Sequence, residues 1–477
     1  MTSNFQLPSH IFREYDIRGI VDHDLSPELA RQIGIAYAHF FKASGRSPLQ
    51  GRKRPLISVG RDCRMSGQSY AQALIEGLRS QGCDVEELGV CPTPLTYFSV
   101  FQNNLDGGIM VTGSHNPSNY NGFKICIGKD TLHGAQIQEL KKLIEKNIRS
   151  SITPVEQGSL SSREIIPPYI ESLLNNARPG RSLKIVLDAG NGTAGNVAPE
   201  LFRRLGAEVV ELYCELDGRF PNHHPDPTEL KNLRDLQALV LKEKADLGLA
   251  FDGDSDRIGA VDETGRPIFG DELMVILSRD LLKKNPGATI ISEVKSSHRL
   301  YNDIEAHGGK GIMWKTGHSL IKSKMKDSGA LLAGEMSGHI FFADRYFGYD
   351  DAIYAALRLY EIAGSHAGSV SSLLADLPPM VATPELRVDC EEDKKFALVE
   401  EIRKRLSPHY KVIGIDGVRV DFGDSWGLIR ASNTQPVLVL RYEAPHAERM
   451  REIREVLEKS LKAASQVVGH RPLEVPQ

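Results

Sequence analysis

The sequence predicts three successive α/β domains on largely parallel sheets, followed by a smaller antiparallel α+β domain. Three observations carry this. Apolar strand runs alternate with helix-length amphipathic stretches through most of the chain. The alternation recurs in three blocks of similar size. After Leu377-Pro378-Pro379 it gives way to short strands joined by Gly, Asp and Ser turns.

In the first block, Leu56-Ile57-Ser58-Val59-Gly60 reads as a buried strand. Residues 68–80 read as a helix with Leu74 and Leu78 on one face, and 84–88 as extended chain. Gly108-Ile109-Met110-Val111 reads as a further strand. In the second block, strands at 184–188, 208–212 and 245–251 surround a helix at 197–205. In the third, a helix at 272–282 precedes a strand at 289–294, a helix at 297–307 and a strand at 330–334. The last block has strands at 386–389, 417–422, 426–430 and 437–442, with helices at 394–406 and 447–464. The paired prolines are expected to stop the preceding helix and mark the last boundary. The tail after Gly469 is expected to lack order. The domain limits drawn are 1–164, 165–266, 267–379 and 380–477.

Composition limits the function. The 477 residues carry 58 basic and 62 acidic side chains, a net charge of −4. That balance gives no polyelectrolyte attraction to nucleic acid or an anionic membrane, so neither is an expected partner. An anionic ligand must be met by a local basic cluster. The N-terminus lacks the pattern of a signal peptide, and no apolar run approaches the ~20 residues of a membrane span. The six cysteines are scattered without a Cys-x-x-Cys pair, which argues against a zinc knuckle or a disulfide scaffold. A reduced cytoplasm is the expected location. Nothing demands an oligomer, so a monomer is expected.

The most informative stretch is Thr112-Gly113-Ser114-His115-Asn116-Pro117. It presents a serine between an apolar strand and a Pro-closed turn, with Lys124 close behind. Such a serine is a candidate nucleophile or phosphoryl carrier. Ser-His adjacency alone means little, because sequence neighbours often point apart. Asp252-Gly253-Asp254-Ser255-Asp256-Arg257 strengthens the reading. The strand before it puts three carboxylates at its end, where Asp252, Asp254 and Asp256 can converge on a hard cation such as Mg²⁺. An EF-hand fails, because Arg257 stands where that loop needs Gly and strands flank it.

Gly190-Asn191-Gly192-Thr193-Ala194-Gly195 matches Gly-x-Gly-x-x-Gly, with Glu211 placed for a ribose contact. A dinucleotide-dependent oxidoreductase is therefore an alternative. It leaves the serine and aspartate loops unexplained, so the glycines are read as permitting a tight strand–helix turn. Arg430-Ala431-Ser432-Asn433-Thr434-Gln435 joins two strands and offers a phosphate clamp, or else a polar hairpin turn. Glu335-Met336-Ser337-Gly338-His339 follows a strand; Glu335 and Ser337 can face sugar hydroxyls, and His339 can move a proton or contact phosphate. Lys295 and His318 are cleft candidates by position, as are Tyr15 and Arg18 in Phe12-Arg13-Glu14-Tyr15-Asp16-Ile17-Arg18-Gly19. Salt bridges, helix capping and core packing are their ordinary alternatives.

Together these motifs resemble the α-D-phosphohexomutase family, in particular its bacterial phosphomannomutase/phosphoglucomutase branch. The resemblance runs from Phe12 to Thr434, nearly the whole chain. It implies three similar mixed-sheet α/β domains plus a C-terminal antiparallel α+β domain around a central cleft, each giving one loop. It implies Ser114 as a phosphoserine, with Mg²⁺ held by its phosphate and by Asp252, Asp254 and Asp256. Arg18, His115, Lys124 and Arg257 would surround the phosphoryl group. Tyr15, Lys295, His318, Glu335, Met336, Ser337, Gly338 and His339 would face the sugar. Arg430, Ser432, Asn433 and Thr434 would hold the other phosphate. The implied reaction interconverts hexose 6-phosphate and hexose 1-phosphate through a hexose 1,6-bisphosphate, which also serves as activator. The base would be Lys124, its pKa lowered by neighbouring cations, or His339. A phosphoglucosamine mutase and a non-catalytic sugar-phosphate-binding regulator are the remaining alternatives.

Overall fold

The computed structural model describes residues 7–149, 155–433, 435–471, 473, 475 and 476. Its strands form four separate sheets. The first three are mixed, not largely parallel, and share one topology. In the first, Leu56–Arg61 lies between Asp84–Val90 and Gly107–Val111, all parallel, and Tyr120–Ile127 pairs antiparallel with Gly107–Val111. In the second, Lys184–Asp188 lies between Glu208–Leu212 and Leu247–Phe251, with Ile258–Asp262 antiparallel beyond. In the third, Thr289–Glu293 lies between Lys310–Trp314 and Leu332–Gly334, with Ile340–Phe342 antiparallel beyond. The fourth sheet is antiparallel from Val381–Ala382 through Val437–Ala444, Trp426–Ala431 and Val418–Asp421 to Lys411–Ile413.

The repeat is thus one of topology. Two parallel crossovers need intervening helices, whereas the third and fourth strands of each unit join directly. That direct connection falls at the carboxyl end of a buried strand. It carries the Ser114 loop in the first sheet, the Asp252–Arg257 loop in the second and the Glu335–His339 loop in the third.

Several helices escaped the periodic reading. Pro27–Ala43 starts on an N-cap, where Ser26 Oγ accepts from Leu29 N at 3.2 Å and Pro27 opens the first turn. It packs against Gly67–Ser80 so closely that a Cβ on Gly34 would lie 2.4 Å from Leu74 O. The helix Ala352–Ser365 ends well before Pro378, with a 3₁₀ turn at Ser371–Leu374 between them, so the prolines do not stop it. The tail after Gly469 is tied down in its described part. His470 Nε2 accepts from Glu391 N at 3.1 Å, and Leu473 and Val475 pack on the last core.

The largest apolar cluster is continuous from Leu95 and Phe98 of the first unit, through Leu247 and Leu249 of the second, to Leu332 and Ile340 of the third. Each large side chain fully buried there contributes roughly 1.5–3 kcal/mol. This shared core fixes the three loops relative to one another. The fourth sheet has a core of its own, with Leu398, Leu440 and Leu457.

Candidate active site

The four loops meet around a cavity of about 1440 Å³. Ser114, beside His115 of the cavity wall, is buried in the left-handed region, with φ 50°. Its Oγ donates to Asp252 Oδ2 at 2.8 Å and lies 3.2 Å from His115 Nδ1, so these neighbours do meet. Burial, then Arg257 and Arg18, hold the His115 pKa well below its ordinary value.

The cost of the turn is met by a buried pair that sequence reasoning missed. Arg64 Nη2 donates to Ser114 O at 2.7 Å and to Asn116 O at 2.5 Å, and Nη1 to Tyr120 O at 3.0 Å. Asp62 Oδ2 accepts from Arg64 Nε at 3.1 Å, Thr112 Oγ1 at 2.7 Å and Gly113 N at 3.2 Å. The available signal was a charged run, Arg61-Asp62-Cys63-Arg64, directly after a buried strand.

Asp252, Asp254 and Asp256 are fully buried, and each offers an oxygen within 4.8 Å of the others. Among the described residues, Asp254 Oδ1 lacks a hydrogen-bond partner, and Asp256 Oδ1 has only His339 Nε2 nearby, at 3.3 Å. Converging hard oxygens with unmet acceptor capacity fit a small divalent cation. Burial raises the Asp252 pKa well above its ordinary value, and the like charges of Asp254 and Asp256 add to this. For Asp256, Lys124 and His339 outweigh burial and hold the pKa well below the usual range.

Lys124 Nζ donates to Asp254 Oδ2 at 2.7 Å and to Asp256 Oδ2. The expectation that its pKa is lowered is overturned. Burial acts in that direction, but Asp254, Asp256 and Asp252 raise it above the ordinary lysine value. The register explains this: Lys124 lies opposite Met110 on the neighbouring strand and reaches the acids of the second sheet, so carboxylates surround it, not cations.

The Glu335–His339 loop docks on the Asp252–Arg257 loop through an Arg257–His339 bridge, with Ile258 N donating to Gly338 O at 3.0 Å. Glu335 Oε1 accepts from Gly317 N at 2.7 Å, and Glu335 Oε2 lies 3.0 Å from His339 Nδ1. His339 Nε2 lies 3.3 Å from Asp256 Oδ1. Burial lowers the His339 pKa, but Asp256 and Glu335 raise it to about 9. Met336, Ser337 and His339 line the cavity, whereas Gly338 does not: at φ 84°, a Cβ there would lie 2.4 Å from Ile258 O. His318 lines the wall, edge-on to Tyr15, with Nδ1 3.5 Å from Asp350 Oδ2. Lys295 pairs with Glu385 at 2.9 Å. Glu293, also missed, accepts from Lys295 N, Thr316 Oγ1 and Met336 N at 2.8, 3.0 and 3.2 Å, tying three wall segments together.

Arg430 lies inside the strand Trp426–Ala431, not on the turn, and its Nη2 is 3.0 Å from Asp416 Oδ2. Asp416 also accepts from Thr316 N at 3.0 Å. Asn433 Nδ2 donates to Tyr15 Oη at 2.8 Å, and Tyr15 Oη to Thr316 O at 2.7 Å. These bonds bring the fourth sheet's loop against the first and third units. Ser432 lines the same wall, and Thr434 lies outside the described residues. Arg18 lines the cavity as well, with its guanidinium on Asp16 and on Asn116 Oδ1 at 2.7 Å. The glycines of the dinucleotide-like motif pack against the metal loop. A Cβ on Gly192 would lie 2.8 Å from Gly253 Cα, and Thr193 N donates to Gly253 O at 3.1 Å. Glu211 pairs with Arg203 on the surface.

Four family models match in order: the phosphoglucomutase/phosphomannomutase α/β/α domain I at residues 9–151, domain II at 167–265, domain III at 269–381 and the C-terminal domain at 385–460. The chain belongs to the phosphoglucomutase/phosphomannomutase family. It is accordingly an enzyme, a hexose phosphate mutase. A family member named phosphomannomutase/phosphoglucomutase, from Pseudomonas aeruginosa, is 47% identical over 460 residues, 96% of each chain. A phosphoglucomutase of Neisseria gonorrhoeae is 44% identical over 437 residues, 91% of this chain and 93% of that one. A solved phosphoglucomutase/phosphomannomutase family protein from Burkholderia thailandensis superposes with a TM-score of 0.90 at 40% identity, covering 99% of this chain and all of the other. None of the described helices of this family member is long and apolar enough to cross a membrane.

Proposed function

We propose that the protein interconverts the 6- and 1-phosphates of glucose and mannose through phosphorylated Ser114 and a hexose 1,6-bisphosphate. The observation that carries this is the 2.8 Å bond from Ser114 Oγ to Asp252, which sets a buried hydroxyl against a three-carboxylate cluster. His115 lies against Ser114 as a hydrolytic base would, but Arg257 and Arg18 surround it where a triad has a carboxylate, and a hydrolytic serine has no use for the three-carboxylate cluster. A phosphate carrier needs compensation for a dianion beside buried acids.

Asp252, Asp254, Asp256 and the phosphate on Ser114 would hold Mg²⁺, which when bound neutralises and orients the phosphoryl oxygens. Lys124 and Arg257 add positive charge at the same point. In the first half-reaction the P–O bond to Ser114 breaks and a bond to the free sugar hydroxyl forms. Overall one proton passes from the sugar hydroxyl to Ser114 Oγ as its P–O bond breaks. His339, oriented by Glu335 through Nδ1, would be the intermediary once bound Mg²⁺ offsets the carboxylates that otherwise keep it protonated. The bisphosphate then turns end over end, Ser114 Oγ gives up that proton as the opposite phosphoryl returns to it, and the released sugar oxygen takes the proton up. Lys124 remains a cation throughout. Arg430, with the Ser432–Asn433 segment, holds the phosphate that is not reacting. Glu335 and Ser337 meet hydroxyls that remain equivalent after the turn, so the C2 hydroxyl is read weakly.

All four walls come from one chain, which supports a monomer. Six unpaired cysteines support a cytoplasmic location. The test is twofold. Ser114 should carry phosphate after incubation with hexose 1,6-bisphosphate. Values of kcat/KM for glucose 1-phosphate and mannose 1-phosphate should exceed that for glucosamine 1-phosphate. A preference for the amino sugar would sink the sugar assignment, and phosphate on another residue would sink the carrier.

A further inference from the structure

The cavity is lined by many cations, and most are already neutralised. Arg18, Lys124, Arg266, Lys295 and Arg430 each have a carboxylate oxygen within 3.0 Å. Arg299 and Arg441 have one at 3.6 and 3.7 Å, and Arg387 donates to Gln435 Oε1 at 2.8 Å. Arg257 contacts His339 and belongs to the transfer point. Arg13 differs. It lines the same cavity and is partly buried, yet its guanidinium makes no hydrogen bond and no ion pair among the described residues.

A guanidinium withdrawn from water without a partner is costly, and five N–H donors are rarely left unused in a cleft. Burial and the nearby charge of Arg18 lower the proton affinity of Arg13 by more than Asp16 and Asp24, neither of which makes an ion pair with it, raise it. The backbone explains its fixed position: Arg13 N donates to Asp16 O at 3.0 Å, and Phe12 bridges to Ile17. Resting on the mutase reading above, we infer that Arg13 is a waypoint for a phosphate dianion of the bisphosphate intermediate. It holds one phosphate on the first domain's wall while the sugar turns between the Ser114 end and the Arg430 end. The neighbouring carboxylate-paired cations already share their charge and some of their donors, whereas the guanidinium donors of Arg13 are all unused among the described residues. Its ligand class is a phosphate monoester, bound in a bidentate or charge-assisted mode.

The test measures binding apart from turnover. Glucose 1,6-bisphosphate is titrated calorimetrically into Ser114→Ala protein, with and without Arg13→Gln, at several salt concentrations. The expected result is affinity about tenfold lower in the Gln variant, with a shallower salt dependence. Arg13→Lys should restore the salt dependence. In the unsubstituted chain, the Arg13 Nε–H resonance, assigned with the Lys variant, should shift on adding the bisphosphate; this reading does not depend on how the Gln variant folds. Unchanged affinity in the Gln variant, or a resonance that does not move, would overturn the assignment. In the active protein, Arg13→Gln should release about tenfold more bisphosphate per turnover. If the affinity falls as expected but the unsubstituted chain never transfers phosphate, the mutase reading fails and the turning step with it, while the phosphate contact at Arg13 stands. If the chain turns over and the affinity is unchanged, Arg13 fails alone.

Discussion

Lys124 Nζ donates to Asp254 Oδ2 across 2.7 Å, joining an inner strand of the first sheet to the acidic loop of the second. One lysine thereby serves as the counter-ion of the carboxylate cluster and as a wall of the cavity. The pair is buried, so removing either partner exposes the other to uncompensated burial. Replacing Asp254 therefore tests the metal site and the domain join together. Asp254→Asn should raise the Mg²⁺ concentration for half-activity by about tenfold or more, since one of the three proposed carboxylate ligands is lost. An unchanged metal titration would remove Asp254 from the site.

Ser114→Ala should leave the fold intact, because the turn is held by backbone bonds to Arg64 and not by the hydroxyl. Steady turnover should fall by at least about three orders of magnitude. Circular dichroism and a mutase assay without added bisphosphate check this. Activity near the parent level would end the phosphoserine reading.

Arg64→Met should cost about 3 kcal/mol or more in unfolding free energy, because it leaves several buried carbonyls unsatisfied and Asp62 without its counter-ion. Denaturant unfolding measures this. A loss under about 1 kcal/mol would mean that the Ser114 turn holds itself.

His339 gives a pH signature in the metal-free protein. Its folded pKa of about 9 lies above the ordinary histidine value of 6.5. Between those values the folded state holds a proton that the unfolded state has lost, so stability must fall as pH rises. The contribution is complete below pH 6.5 and gone above about 9, with a slope of about 1 kcal/mol per pH unit between. His339→Gln should flatten that slope in thermal or denaturant unfolding. Adding Mg²⁺ should move the His339 titration, followed by NMR, to lower pH, because a dication offsets the carboxylates that raise it. A titration unmoved by Mg²⁺ would separate His339 from the metal cluster.

Arg430→Ala should raise KM for hexose phosphates about tenfold or more, with a smaller change in kcat. Asp416→Asn should act in the opposite direction on phosphate binding, since Asp416 is the group now neutralising Arg430. Inhibition constants for inorganic phosphate report both. Equal KM values in the parent and Arg430→Ala would remove the clamp.

The loops on which the proposed chemistry rests were legible in the sequence. Ser114, the three aspartates and the Glu335–His339 loop each follow an apolar strand run, and a loop at the end of a buried strand is a local property. The tertiary structure alone decided what those residues face. Lys124 was legible as a cation, but its pKa depends on acids 130 and 132 residues away, and the expected sign was wrong. Asp62, Arg64, Glu293 and Asp416 were invisible as site residues because their roles are contacts across sheets, with no local spacing to mark them. Gly338 was named as a sugar contact because the resemblance covers the whole Glu335–His339 motif, yet its positive φ and its close packing on Ile258 give it a backbone role in the turn. The solitude of Arg13 is likewise a property of the assembled cavity: a charge can be read from one residue, but whether it has a partner depends on everything folded around it.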